Sequence, residues 1–224
     1  MTQNRRGLIL SAAAFALAAP TLSLAADKKK PSPPARKVFP YYDLYLGIPA
    51  AERTRFVLAY YLFLNGKPAS GQAIYVIQPN GTRTLLAQAP DGRITRMPTL
   101  AELKDGVVDG DRSNEDHKFS ISMQMQPVVR LAETMPVADL VAAIDQCNTA
   151  IRKRAGVIGF AAPKMEQVMF VGAGSGQAVL AGGKTVALPT FKGMPFYRPA
   201  ALPGVQSLTF AKAPTRALLA GKTK

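Results

Sequence analysis

Between Phe119 and Gln126 apolar and polar residues alternate without a break, Phe119, Ile121, Met123 and Met125 against Ser120, Ser122, Gln124 and Gln126. Successive side chains leave an extended strand on opposite faces, so a strict period of two predicts a strand with one buried face. A strand of this kind needs partners, and the chain supplies candidates. Arg55–Leu64 is a nearly continuous apolar run rich in Phe, Tyr and Leu, stopped by Asn65-Gly66-Lys67-Pro68. Aromatics followed by an Asn-Gly stop favour a buried strand over a helix. Gln72–Gln78 runs into Pro79-Asn80-Gly81-Thr82, and Arg83–Ala87 returns. Asn-Gly tolerates the positive φ angles of a type I′ turn, which predicts a hairpin here. Pro90-Asp91-Gly92 marks another turn, and the polar, acidic stretch Asp105–Asp116 reads as a surface loop.

One segment changes period. Leu140, Val141, Ile144, Cys147 and Ile151 form an apolar stripe at helical spacing, with Pro136 and Asp139 at its start, Arg152-Lys153-Arg154 at its end and Gly156 beyond. This predicts an amphipathic helix near 137–154. After Glu166 the pattern returns to short strands at Gln167–Val171, Gln177–Leu180, Lys184–Leu188 and Ser207–Phe210. Gly71-Gln72-Ala73-Ile74 and Gly176-Gln177-Ala178-Val179 hint at a diverged repeat. The expected fold class is mainly β (α+β), with one or two small Ig-like β-sandwich modules and the helix. The expected organisation is a β module over 39–130, then the helix with a second β module over 131–209.

The N-terminus reads as an export signal over residues 1–26. Arg5 and Arg6 precede the apolar run Leu8–Ala18, and Ser23-Leu24-Ala25-Ala26 supplies small residues for cleavage before Asp27. Asn4-Arg5-Arg6-Gly7-Leu8-Ile9 approaches the twin-arginine pattern, so that route and ordinary secretion both stay open. Either predicts a bacterial periplasmic or secreted protein with no transmembrane segment after cleavage.

The whole chain carries +14, and loss of Arg5 and Arg6 leaves +12. Residues 27–38, a basic Pro-rich linker, hold +4, and the basic C-terminal stretch 210–224 holds another +4. A body of only +4 is not the basic face that nucleic-acid binding needs, so no such partner is expected. Weak electrostatic contact with anionic surfaces through the two tails is expected instead.

Few residues offer catalytic chemistry. The single Cys147 excludes an intramolecular disulfide framework, and His117 is the only imidazole. Val168–Gly176 enters a Gly-rich turn, but Gln177 stands where a third glycine belongs. Glu166 is also the last acid, so no downstream carboxylate could hold a ribose. Met123, Met125 and His117 could serve soft copper, although both methionines share the apolar phase of their strand. Two aromatic clusters suit an interface: Tyr41, Tyr42 and Tyr45 after the linker, and Phe196, Tyr197 and Arg198 near the end. The expected function is a non-catalytic exported cell-envelope protein that binds or scaffolds an envelope protein or polysaccharide, with no cofactor, catalytic residue or metal ligand assigned. The alternative is a secreted hydrolase using carboxylates such as Asp109, Asp111 and Glu115. A weak copper-handling periplasmic protein stands third.

Overall fold

The computed structural model describes residues 32–110, 119–158 and 164–223, with the side chains of 155–158 left aside. The expected export signal, most of the expected basic linker, Asp111, Glu115 and His117 lie outside the described residues. Fourteen strands in four antiparallel sheets, with four α-helices that begin with the short α1 (Ala35–Val38) and α2 (Tyr42–Leu46), make the described part mainly β.

The apolar run becomes the long strand β1 (Phe56–Leu64), which turns into β2 (Lys67–Pro68). Asn65 and Gly66 both have positive φ, 51° and 77°, the geometry of a type I′ turn. β3 (Ile74–Ile77) and β4 (Arg83–Leu85) form the expected hairpin, but its turn differs from the expectation. Only Gly81 is left-handed, and its N–H donates to the Gln78 carbonyl at 2.9 Å. Pro79 has φ locked negative and favours the second position of a type I turn, so the turn begins one residue earlier and ends on the glycine.

Leu100–Asp105 is helix α3, with Thr99 and Glu102 forming a capping box. β5 (Val107–Gly110) then pairs with β3. The surface loop expected over Asp105–Asp116 is therefore a strand in its first part, and the rest lies outside the described residues. The alternating segment is β6 (Phe119–Pro127), paired with β1 along its whole length from Phe56↔Pro127 to Leu64↔Phe119.

β7 (Thr134–Pro136) leads into helix α4 (Ala138–Ile158), four residues longer at its end than its charge pattern predicts. Leu140, Ile144, Cys147 and Ala150 are its buried stripe. A polar clasp fixes it to the start of β1. Asp139 meets Arg55 at 3.0 Å, and the Gln146 side chain accepts the Arg55 N–H at 2.8 Å.

Beyond the helix come β8 (Gln167–Val171), β9 (Gly176–Leu180), β10 (Thr185–Ala187), β11 (Thr190–Phe191), β12 (Met194–Tyr197), β13 (Val205–Phe210) and β14 (Arg216–Ala220). With β7 they form two sheets, ordered β10-β9-β13-β7 and β11-β12-β8-β14. Gly172 and Gly174, at φ 77° and 71°, carry the chain from one sheet to the other. The two stretches of the suggested repeat are not equivalent. Gly71 is left-handed outside β3, while Gly176 lies within β9.

The C-terminal basic stretch is not a free tail either, because β14 is hydrogen-bonded to all five residues of β8. Alternating apolar side chains outweigh one arginine there: Ala217 and Leu219 are buried. One buried apolar cluster joins Phe39 and Tyr60 to Leu140, Phe170 and Leu208. Among the described residues no helix is long and apolar enough to cross a membrane.

Candidate functional site

The aromatic residues singled out in the sequence are distributed by packing. Tyr42 and Tyr45, in the short helix α2 (Tyr42–Leu46), are buried and stack at 5.8 Å. Tyr42 meets Tyr60 edge-on, and Tyr45 meets Phe56 likewise. Tyr60 donates its hydroxyl to the Pro40 carbonyl, and burial, with help from Tyr42 and Asp43, raises its pKa. Tyr41 alone of the three is exposed, with φ at 65°, a left-handed backbone that an aromatic residue rarely adopts.

Phe196 and Tyr197, in β12, are buried. Arg198 lies over the Phe196 ring at 5.4 Å and donates to the fully buried Gln167 side chain at 2.6 Å. No ring contact joins the two aromatic groups among the described residues.

Other candidates are equally local. Cys147 is fully buried in the α4 stripe, and desolvation pushes its thiol up to about 12, which makes it unreactive at neutral pH. Met123 is 44% exposed despite its apolar phase, and Met125 is half-buried. Among the described residues no three of His, Cys, Asp and Glu gather as a metal site. Ser175 sits in the Gly-rich crossing between β8 and β9.

A groove of about 290 Å³ opens instead on the face of β1 and β6 opposite Tyr60. Its construction follows from strand parity. Val57, Ala59 and Tyr61 share one face of β1, and Ser122, Gln124 and Gln126 face the same way from β6. The Tyr61 hydroxyl accepts a hydrogen bond from the Gln126 side chain at 2.8 Å. Gln126 is the partner of Val57, four residues along from Tyr61, so the Tyr61 ring must lie along the strand past the small Ala59. That reach buries the ring and leaves the hydroxyl proton free to donate.

Two cations complete the groove. Arg93 forms a β-bridge with Tyr61, and directly opposed residues of an antiparallel pair project to the same face. The turn Ala89–Arg93 holds it in place: Gly92, at φ 83°, donates to Ala89, and Asp91 accepts the Arg93 N–H. A side chain at Gly92 would put its Cβ 2.4 Å from the Leu62 carbonyl oxygen, so glycine is required there. Arg216, the first residue of β14, lies over the Tyr61 ring at 4.6 Å.

Among the described residues neither guanidinium meets a carboxylate within ion-pair distance, whereas four other cations do. The opposite wall is apolar, made by Pro127, Val128, Val129 and Leu131, with Val128 57% exposed. A smaller groove of about 220 Å³ between Pro49 and α4 is closed across by the Lys153–Glu52 pair at 2.8 Å. The larger groove therefore offers two guanidinium groups with no ion-pair partner among the described residues, the Asp91 carboxylate, one hydroxyl donor and an apolar wall, which is binding chemistry.

The aromatic clusters drew the sequence reading because their residues are adjacent in the chain. The groove residues come from four separate segments, and Arg93 and Arg216 read there as a turn flank and a tail charge. The signal that was present is parity: Tyr61 and the glutamines fall on the face opposite the core. No family model, no curated protein and no solved structure matches the chain.

Proposed function

We propose that this is an exported, non-catalytic cell-envelope protein of the periplasm or the secreted fraction. On this reading it binds an envelope component through the groove over Tyr61. The observation that carries the reading is the meeting of Arg93 and Arg216, against the single carboxylate of Asp91, with an exposed apolar wall at Val128. Unpaired guanidinium groups beside apolar surface are characteristic of a recognition site. The N-terminal pattern of residues 1–26 supports export.

The sheets containing β9 and β8 act as the two halves of a small sandwich-like module, supported by the Phe170–Phe210 ring contact at 4.6 Å between them. The basic segment 27–38 acts as a salt-screened electrostatic tether, as Lys28, Lys29 and Lys30 beside the prolines suggest.

Two measurements test this reading. Intact mass of the chain from a fractionated bacterium should show an N-terminus near Asp27, and retention of residues 1–26 would contradict export. Co-sedimentation with isolated envelope fragments should fall at least tenfold when R93Q and R216Q are combined. Unchanged sedimentation of a folded double variant would contradict the role of the groove.

A further inference from the structure

The groove over Tyr61 lies where two sheet edges meet. β6 is the outer strand of β2-β1-β6, and β14 is the outer strand of β11-β12-β8-β14. They run beside each other without ladder pairing. The groove opens at the end of that seam, lined by Gln126 and Pro127 of β6 and by Arg216 and Ala217 of β14. The two strands lie too close to admit a third between them, so a ligand reaches the groove from its open end.

The charge adds a second requirement. Arg93 and Arg216 carry no ion-pair partner among the described residues, and the Tyr61 hydroxyl, already accepting from Gln126, has its proton to give. Asp91 also lines the groove, but its carboxylate takes the Arg93 N–H at 3.0 Å and offsets only one of the two cations. A planar guanidinium matches a carboxylate in a two-pronged pair, and a phenol donor nearby strengthens the site. The volume of about 290 Å³ is at the small end for ligand sites, enough for a terminal group and a small apolar residue against Val128.

We propose that the groove captures the C-terminal carboxylate of an apolar-ended peptide, entering from the open end of the β6–β14 seam. The carboxylate sits between Arg93 and Arg216 and takes a hydrogen bond from Tyr61. The last side chain lies against Val128, and the rest of the peptide leaves through the mouth of the groove. This rests on the groove being the binding surface, and it adds the chemical class of the ligand.

The test is calorimetric titration of residues 27–224, which contain the whole compact unit, with N-acetyl-alanyl-valine, its C-terminal amide and inorganic phosphate as separate probes. The acid should bind, and the amide should bind at least tenfold more weakly. R93Q should weaken the acid at least tenfold. V128E, an exposed change that puts a repelling carboxylate on the wall, should do the same while leaving the thermal transition in place. Equal binding of acid and amide would overturn the proposal, as would undiminished binding in both folded variants. Displacement of the acid by an equal concentration of phosphate would replace the proposal with a bare anion site.

Envelope co-sedimentation keeps the two readings separate. If the acid fails to bind while R93Q/R216Q still abolishes sedimentation, the ligand class is wrong and the groove stands. If the acid binds while sedimentation ignores the double variant, the groove is a carboxylate site but not the envelope contact.

Discussion

Glu102 shows how a single residue settles a local structure here. It is 2% exposed, yet both carboxylate oxygens are engaged, one by Arg96 at 2.8 Å and the other by the Thr99 N–H at 2.8 Å. Burial alone would raise its pKa; the hydrogen bonds from Arg96, Thr99 and Thr84, with the arginine charge, outweigh burial and lower it. A carboxyl depressed in the folded state contributes stability above its unfolded pKa, which is about 4.3 for Glu. That contribution disappears as pH falls through the folded value. E102Q should therefore cost about 1–3 kcal/mol at pH 7. In urea titrations the gap from the parent protein should narrow as pH drops below about 4. A gap that stays constant down to pH 2.5 would contradict the charged role.

Cys147 gives a second residue-scale expectation. C147S places a hydroxyl in a dry stripe and should cost about 1–3 kcal/mol. The parent thiol should resist iodoacetamide at pH 8 until the protein is denatured, since burial holds it protonated. Rapid labelling of the native protein would contradict that burial. The helix stripe was readable because five apolar residues repeat at helical spacing. The capping box Thr99-Leu100-Ala101-Glu102 was equally present in the sequence, yet its six-residue helix is too short to show an apolar stripe.

At the scale of elements, local pattern succeeded where one face of a segment was enough to define it. β6 and α4 carry their periods in their own residues, and both form near the expected bounds. β14 did not show itself, because a five-residue strand with one arginine has the composition of a tail; its identity depends on β8, forty-five positions before it. Removing residues 213–224 should thus do more than remove charge. It uncovers buried Phe170 and Val168 on β8, so the truncated chain should lose its cooperative thermal transition. A truncated protein that melts like the parent would contradict the pairing.

An asparagine midway along α4 makes a similar long-range link. Asn148 accepts the Met165 N–H and donates to the Met165 carbonyl, both at 2.8 Å, which anchors the start of β8. N148A should cost about 1–3 kcal/mol, read from chemical denaturation, and a neutral result would contradict the clamp.

Over the whole molecule the strands place a cationic, apolar-walled groove on the face opposite the main core. Its parts were individually visible, but their meeting was not. Tyr61 is brought to Arg93 by one bridge after a turn, and to Arg216 by a strand whose partner begins at Gln167. Sequence adjacency favours Tyr41–Tyr45 and Phe196–Arg198, and the fold uses most of those residues to fill space. Hydrogen exchange of residues 27–224, with and without saturating envelope fragments, tests the central reading most directly. Protection should concentrate in Gln126–Leu131, Asp91–Arg93 and Thr215–Ala217. Protection confined to Tyr41–Tyr45 and Phe191–Arg198, with the groove unchanged, would contradict it.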